Sequence, residues 1–433
     1  MCCTARDDKR GLVRNSMTKH APHLSPSQLA AVVAGNALEF YDFLVFSFFA
    51  IQIGQVFFPG GSPTASLLKT LAVFGAGFLT RPLGGLVVGP LSDRIGRRPT
   101  MLFTFALMGL SIAGLALTPS YASIGVAAPL LALLFRLAQG FALGGEVGPT
   151  TAFLLEAAPR QRRGFYVSLQ NATQYFSVLC VGLIGAALTS VLPADAFGAW
   201  GWRAAMLLGA GMVPFAWVLR RRLPETLNAT AAVEAPPPPL LKVAGLGTFM
   251  IAANSISTYL MNYVGTYAQA TLHAGQQLAF LCTVAGGAAA TAGALLGGHL
   301  SDRFGRKPVM LVGAGAALVL AVPCFLAMLF WDSPVVLLAA AGLFAFFIGL
   351  FPPALLANLT ESFPAGRRAG ALGITYALSV ALFGGSAQYV VTWLIAETGS
   401  PLAPAWYMSG AMVLGLLAML AMHETAPVKT HLH

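Results

Sequence analysis

The chain has 433 residues, of which 57% are hydrophobic and 9% charged, and a formal net charge of +10. Soluble domains carry about 25% charged residues, so this composition excludes a water-soluble fold and makes the bilayer the main solvent. The basic excess would suit nucleic acid only as a patch, whereas here Arg and Lys are parcelled into separate short loops.

In chain order, the leader MCCTARDDKRGLVRNS has no apolar core and no small-residue cleavage pattern, so residues 1–27 are expected to be a tail, with Met17 as an alternative start. Crossing hydrocarbon takes roughly 20 apolar residues per helix. Twelve such stretches follow, beginning near Gln28, Ser66, Thr100, Ala127, Tyr166, Arg203, Leu241, Gln277, Val309, Val335, Ala371 and Ala405. Each runs for about 20 to 26 residues before Pro, Gly or a charged cluster ends it. The fold expected is an all-α membrane protein of twelve transmembrane helices.

Basic residues fall in the N-terminal tail, in DRIGRRP after helix two, PRQRRG after helix four, RRR after helix six, DRFGRKP after helix eight and GRRAG after helix ten. The other connections hold almost none. By the positive-inside rule these loops and both termini face the cytoplasm of a cell bounded by a plasma (bacterial inner) membrane. Cys2 and Cys3 sit in the leader, and Cys180, Cys282 and Cys324 in separate apolar runs. That spacing suggests neither a disulfide framework nor a metal site, and no cofactor is expected.

One motif occurs twice. GPLSDRIGRRP at Gly89 to Pro99 returns as GGHLSDRFGRKP at Gly297 to Pro308, and EAAPRQRRG from Glu156 returns as ESFPAGRRAG from Glu361. The repeat divides the chain into a six-helix bundle at 28–222 and another at 242–423 in the same orientation, with a tail at 424–433. Between them, 223–241 carries a proline run that cannot be helix and serves as a stiff linker.

Two parallel six-helix repeats around a central cavity resemble the major facilitator architecture, and G-x-x-x-D-R-x-G-R-R is that superfamily's signature. It reads Gly89, Asp93, Arg94, Gly96, Arg97 and Arg98 in the first half, and Gly298, Asp302, Arg303, Gly305, Arg306 and Lys307 in the second. Its Asp and Arg can pair across the ends of neighbouring helices, so Asp93, Arg94, Arg97, Glu156, Asp302, Arg303, Arg306 and Glu361, with Arg162, Arg163, Arg367 and Arg368, are read as a gate. GNALEFYDF in helix one, FGAGFLTRPLGG in helix two, FRLAQGFALGGEVG in helix four, RRGFYVS opening helix five, and WGWR and LRRRLPET around helix six look like the metabolite–proton symporter family. That resemblance covers nearly the whole chain after Met17 and leans toward the citrate and tricarboxylate branch. Osmolyte-carrying members resemble it less, because they end in a long coiled coil and HETAPVKTHLH has no heptads.

The intramembrane charges are Glu39, Asp42, Arg81, Arg136 and Glu146, all in the first half. An unpaired charge at the bilayer centre costs about 2.5 to 3.5 kcal/mol on insertion scales, so these must pair or face water. The spacing of Asn36, Glu39 and Asp42 places them on one face of helix one. Asp42 and Arg136 sit at matching depths, and in sugar–proton relatives an Asp of helix one pairs with an Arg of helix four. Glu39, Asp42 and Arg136 are therefore expected to couple protons: a carboxylate freed when substrate takes its arginine can take up a proton.

Arginine forks suit carboxylates, which makes Arg136 and Arg81 the expected substrate clamp, with Asn36 and Gln139 beside them. Glu146, among Gly140, Gly144 and Gly148, is expected to be a structural partner of an arginine. From the second half, helix seven offers Asn254, Ser257, Tyr259, Asn262, Tyr263, Tyr267 and Gln269, and later helices add Asn358, Tyr376, Gln388 and Tyr389. Of these, Tyr259, Asn262, Tyr263 and Gln388 are taken as substrate contacts.

No G-x-x-x-x-G-K-[ST], H-E-x-x-H or G-x-S-x-G pattern occurs, so ATP-driven pumping and hydrolysis are not expected. The function expected is gradient-driven import of a small organic anion with protons by alternating access. The partners are that anion, protons and the lipid bilayer, with no nucleic acid, and the protein is expected to work as a monomer. The alternatives are a major facilitator exporter or exchanger, and a transport-like nutrient sensor.

Overall fold

The structure, a computed structural model, describes residues 26–95, 97–144, 147–221, 240–331, 333–364 and 368–430. The leader with its two cysteines, Glu146, Arg367, most of the linker 223–241, and the side chains of Asp93, Arg94, Arg97 and Arg98 lie outside the described residues.

Among the described residues there is no strand. The helices are α1 (Pro26–Phe48, continued by Ala50–Phe57), α2 (Pro63–Val88), α3 (Arg97–Leu117), α4 (Ala127–Leu143), α5 (Arg160–Val191) and α6 (Trp202–Arg221). The remainder are α7 (Leu240–Ala270), α8 (Gln276–Phe304), α9 (Arg306–Phe330), α10 (Pro334–Ser362), α11 (Gly370–Thr398) and α12 (Ala403–Ala421). Among the described residues eight are long and apolar enough to cross a membrane, nine with α1 and its continuation taken as one bent span. The helices α3, α4 and α6 fill the other places of a twelve-helix order, and every helix but α5, which begins six residues before Tyr166, starts within a turn of its expected position.

Small residues set how closely the helices approach. Lipid tails give helices no hydrophobic reason to associate, so packing depends on surfaces that let backbones come near. A Cβ on Gly140 of α4 would overlap the Gly77 carbonyl of α2, and one on Gly144 would overlap the Arg81 carbonyl. The first six helices meet the last six along two seams. The helices α5 and α8 pack along their length, where a Cβ on Gly182 would sit 2.8 Å from the Val284 nitrogen. The helices α2 and α11 touch at Gly75 and Gly385, where a Cβ on Gly75 would lie 2.6 Å from the Gly385 carbonyl oxygen.

Two departures from regular helix lie where the halves meet. α1 bends by 63° at Phe49, where the sequence has neither Pro nor Gly. The Phe49 ring packs against Phe280 of α8 at 5.0 Å and Phe197 at 5.9 Å between centroids, so side-chain packing holds the bend. α11 widens into a π-helical turn at Val380–Gly384, directly before Gly385.

Candidate functional site

The glycine contacts between α2 and α4 bring Arg81 and Arg136 together. Both are buried, at 4% and 0% exposure. Each guanidinium lies over the Phe43 ring of α1, at 4.4 Å for Arg81 and 4.2 Å for Arg136. Phe78 also lies under Arg81, and Phe46 and Phe74 line Arg136. Tyr259 of α7 closes the box, its ring edge-on to Phe78 at 5.2 Å and its hydroxyl within hydrogen-bonding reach of Arg81. Ring faces offset part of the cost of burying a cation, by about 2 kcal/mol or more when water is excluded.

The hydrogen-bond inventory of this box is incomplete. Arg136 Nη1 donates to the Phe43 carbonyl at 3.1 Å and to Gln139 Oε1 at 2.6 Å. Nε and Nη2 of both arginines and Nε2 of Gln139 are buried with no acceptor among the described residues. A buried donor left unpaired costs about 1 to 3 kcal/mol, so five together form a strained cluster that an oxygen-rich anion would relieve. Among the described residues no carboxylate makes an ion pair with either arginine.

The acids expected beside them lie elsewhere. Asp42 does not pair with Arg136: its side chain is directed at α6, with Oδ1 unpartnered where a Cβ on Gly209 would overlap it. Phe43, one residue on, occupies the side facing Arg136. Nor do Asn36, Glu39 and Asp42 share a face. Asn36 donates to the Gln170 carbonyl and Thr173 Oγ1 of α5 at 3.0 and 2.8 Å, while Glu39 lines a small cavity with Thr104, Met108, Ala142 and Leu143. A step of three residues falls about 60° short of a full helical turn, so the three side chains fan out to different neighbours.

A central cavity of about 30 Å³ opens between α1, α5, α7 and α11. Phe40, Leu44, Asn171, Gln174, Tyr175, Asn254, Thr258, Tyr259, Asn262 and Tyr376 are among its walls. Of the expected substrate contacts, Tyr259 and Asn262 line this cavity. Gln388 is used in the α1–α7–α11 seam, accepting from Ser47 at 2.7 Å and donating to the Tyr259 carbonyl at 3.1 Å. The Tyr263 hydroxyl accepts a hydrogen bond from Thr392 Oγ1 at 2.9 Å.

Contacts between the two halves lie on either side of the cavity. At the end carrying the α4–α5 and α8–α9 connections, Asp302 accepts from the Gly164 and Phe165 amides at 2.7 and 2.8 Å, both in the first turn of regular helix in α5. Arg306 donates to Asp302 at 2.7 Å and to both Glu361 oxygens at 3.3 Å, while Arg163 lies 3.9 Å from Glu361 and Arg368 pairs with Glu156 at 3.5 Å. Arg303 stays outside this network, exposed over the Phe304 ring. At the opposite end Phe49, Phe197 and Phe280 fill the gap.

Two parts of the site escaped sequence reasoning. The aromatic box has a signal in hindsight: Phe43 with Phe46, and Phe74 with Phe78, stand at the three- and four-residue spacings that stack side chains on one helix face. Glu424 has none. It lies past the last span, yet its carboxylate accepts from the Arg306 and Lys307 amides at 2.9 and 3.0 Å, capping α9, while Thr425 donates to Glu361 at 2.7 Å.

Residues 28–229 match the family described as "Sugar (and other) transporter", and residues 244–432 match "Major Facilitator Superfamily". A citrate-proton symporter of Klebsiella pneumoniae is 35% identical over 98% of this chain and 98% of its own length. The chain belongs to the major facilitator superfamily. As a member it is a multi-pass membrane transporter and not an enzyme. A glycine betaine/proline/ectoine/pipecolic acid transporter of Dickeya dadantii is 34% identical over 92% of this chain and 83% of its own length. A solved proton:xylose symporter of the superfamily superposes with a TM-score of 0.74 at 19% identity, covering 92% of this chain and 96% of that one, which speaks to the fold alone.

Proposed function

We propose that this transporter imports a small organic anion, a di- or tricarboxylate such as citrate, together with protons by alternating access. The observation that carries the reading is the pair of buried arginines on one phenylalanine ring, whose Nε and Nη2 groups, with Gln139 Nε2, have no acceptor. Carboxylates match that need because two guanidinium forks can each bind one bidentately. The citrate-proton symporter relative supports the same class.

Proton coupling follows from the energetics. With both termini and the basic loops cytoplasmic, a negative-inside potential opposes anion entry by about 2.3 kcal/mol per charge per 100 mV, so a trianion faces roughly 7 kcal/mol. Protons entering with it offset that work. Asp42, buried against α6 with no counter-ion among the described residues, is the proposed carrier, because a proton there removes an unpaired charge from the helix packing. The halves 28–222 and 242–423 are proposed to rock about the central cavity.

Uptake of labelled citrate into right-side-out vesicles tests this. An imposed inward proton gradient is expected to drive accumulation above equilibrium, and collapsing it with a protonophore to abolish that accumulation. Failure of every di- and tricarboxylate to be taken up or to compete would end the proposal.

A further inference from the structure

The arginine box is walled off from the central cavity. Arg81 and Arg136 are buried, and neither they nor the phenylalanines around them are among the described walls of that cavity. Tyr259 is the residue common to both places. It lines the cavity, and its hydroxyl is within hydrogen-bonding reach of Arg81. Its ring stands edge-on to Phe78 at 5.2 Å and lies 6.2 Å from Phe74, so it closes the side of the box that faces the second half.

We infer that Tyr259 is a lid between the central cavity and the arginine box, held on Arg81 while the box is empty and displaced when a substrate carboxylate takes the guanidinium. The inference rests on the carboxylate reading above and adds how that site opens.

The strengths of the two bonds give the lid its direction. A phenol oxygen is a neutral acceptor, whereas a carboxylate makes charge-assisted bonds to a guanidinium that are roughly twice as strong and can be bidentate. An anion therefore displaces the hydroxyl, and a neutral molecule does not. The π-helical turn of α11 leaves the ring its place, because a Cβ on Gly384 would lie 2.9 Å from Tyr259 Cε2 and press on it. The backbone of the lid is tied to both halves: the Tyr259 carbonyl accepts from Gln388, and Gln388 accepts from Ser47 of α1. Displacing the ring thus strains the seam at which the halves meet.

Two measurements test the lid. The first is citrate binding to the purified full-length protein. Tyr259→Phe keeps the ring and removes the hydroxyl that a carboxylate must displace, so it is expected to bind citrate tighter by roughly tenfold, the weight of one such hydrogen bond. A direct substrate contact would lose affinity on the same change, and a merely structural residue would not gain it. The second measurement follows a small anionic thiosulfonate reacting with a cysteine in the box, Phe74→Cys, or in the cavity, Leu44→Cys, with the rate of the parent chain subtracted. Adding Tyr259→Ala is expected to speed the reaction at position 74 by about tenfold and to leave that at position 44 unchanged. Equal or weaker citrate binding by Tyr259→Phe, or a rate at position 74 that rises no more than at position 44, overturns the lid while carboxylate transport stands. Failure of the wild type to bind any di- or tricarboxylate removes the carboxylate reading and the lid with it.

Discussion

In the proposed mechanism Asp42 and Arg136 divide the work that one ion pair was expected to do. Arg136 is held on three phenylalanine rings with donors to spare, while Asp42 is turned to α6 with an unpartnered oxygen. Substrate contact and proton carriage are therefore separable by substitution. Asp42→Asn keeps the shape and removes the titrating group, so it is expected to retain citrate exchange between the two sides of the membrane and to lose accumulation driven by a pH gradient. Undiminished uphill uptake by Asp42→Asn would remove the coupling role. Arg136→Lys is expected to weaken both activities by at least tenfold, because an ammonium cannot reproduce the planar fork.

Helix packing shows what could be read from residues alone. Apolar run lengths located the helices, because hydrocarbon thickness allows little choice. Glycines at every fourth residue of α4 foretold a close neighbour, and α2 supplies it at Gly77 and Arg81. The bend at Phe49 was not legible, since the rings that hold it come from α8 and the α5–α6 connection. The direction of Asp42 was not legible either, because three-residue spacing drifts around a helix and only the neighbours fix where each side chain ends. Gly140→Ala tests the α2–α4 contact: its new methyl overlaps the Gly77 carbonyl, and such overpacking costs about 1 to 3 kcal/mol. A lower melting temperature in detergent and a raised KM for citrate are expected, whereas Gly211→Ala, which meets nothing within 4 Å, changes neither. Equal melting temperatures for the two would argue against a packing role for Gly140.

Across the whole molecule the two closed ends are built from different chemistry. One end is held by charge-assisted hydrogen bonds from amides at the start of α5 to Asp302 and by the Arg306–Glu361 fork, to which the Glu424 cap on α9 adds a clasp from the segment after α12. The other is closed by contacts among Phe49, Phe197 and Phe280. A hydrogen bond to a charged group contributes about 1.5 to 3 kcal/mol, so Asp302→Asn is expected to favour opening at the ionic end by about 10- to 100-fold. Phe280→Ala removes the ring that lies on Gly185 of α5 and is expected to favour the opposite opening. A cysteine placed at Leu44, on the wall of the central cavity, reads both from the rate of its reaction with a charged thiol reagent applied from one side. Asp302→Asn is expected to raise the rate from the cytoplasmic side and Phe280→Ala from the outer side. If both variants raise the rate from the same side, the two ends are not opposing gates.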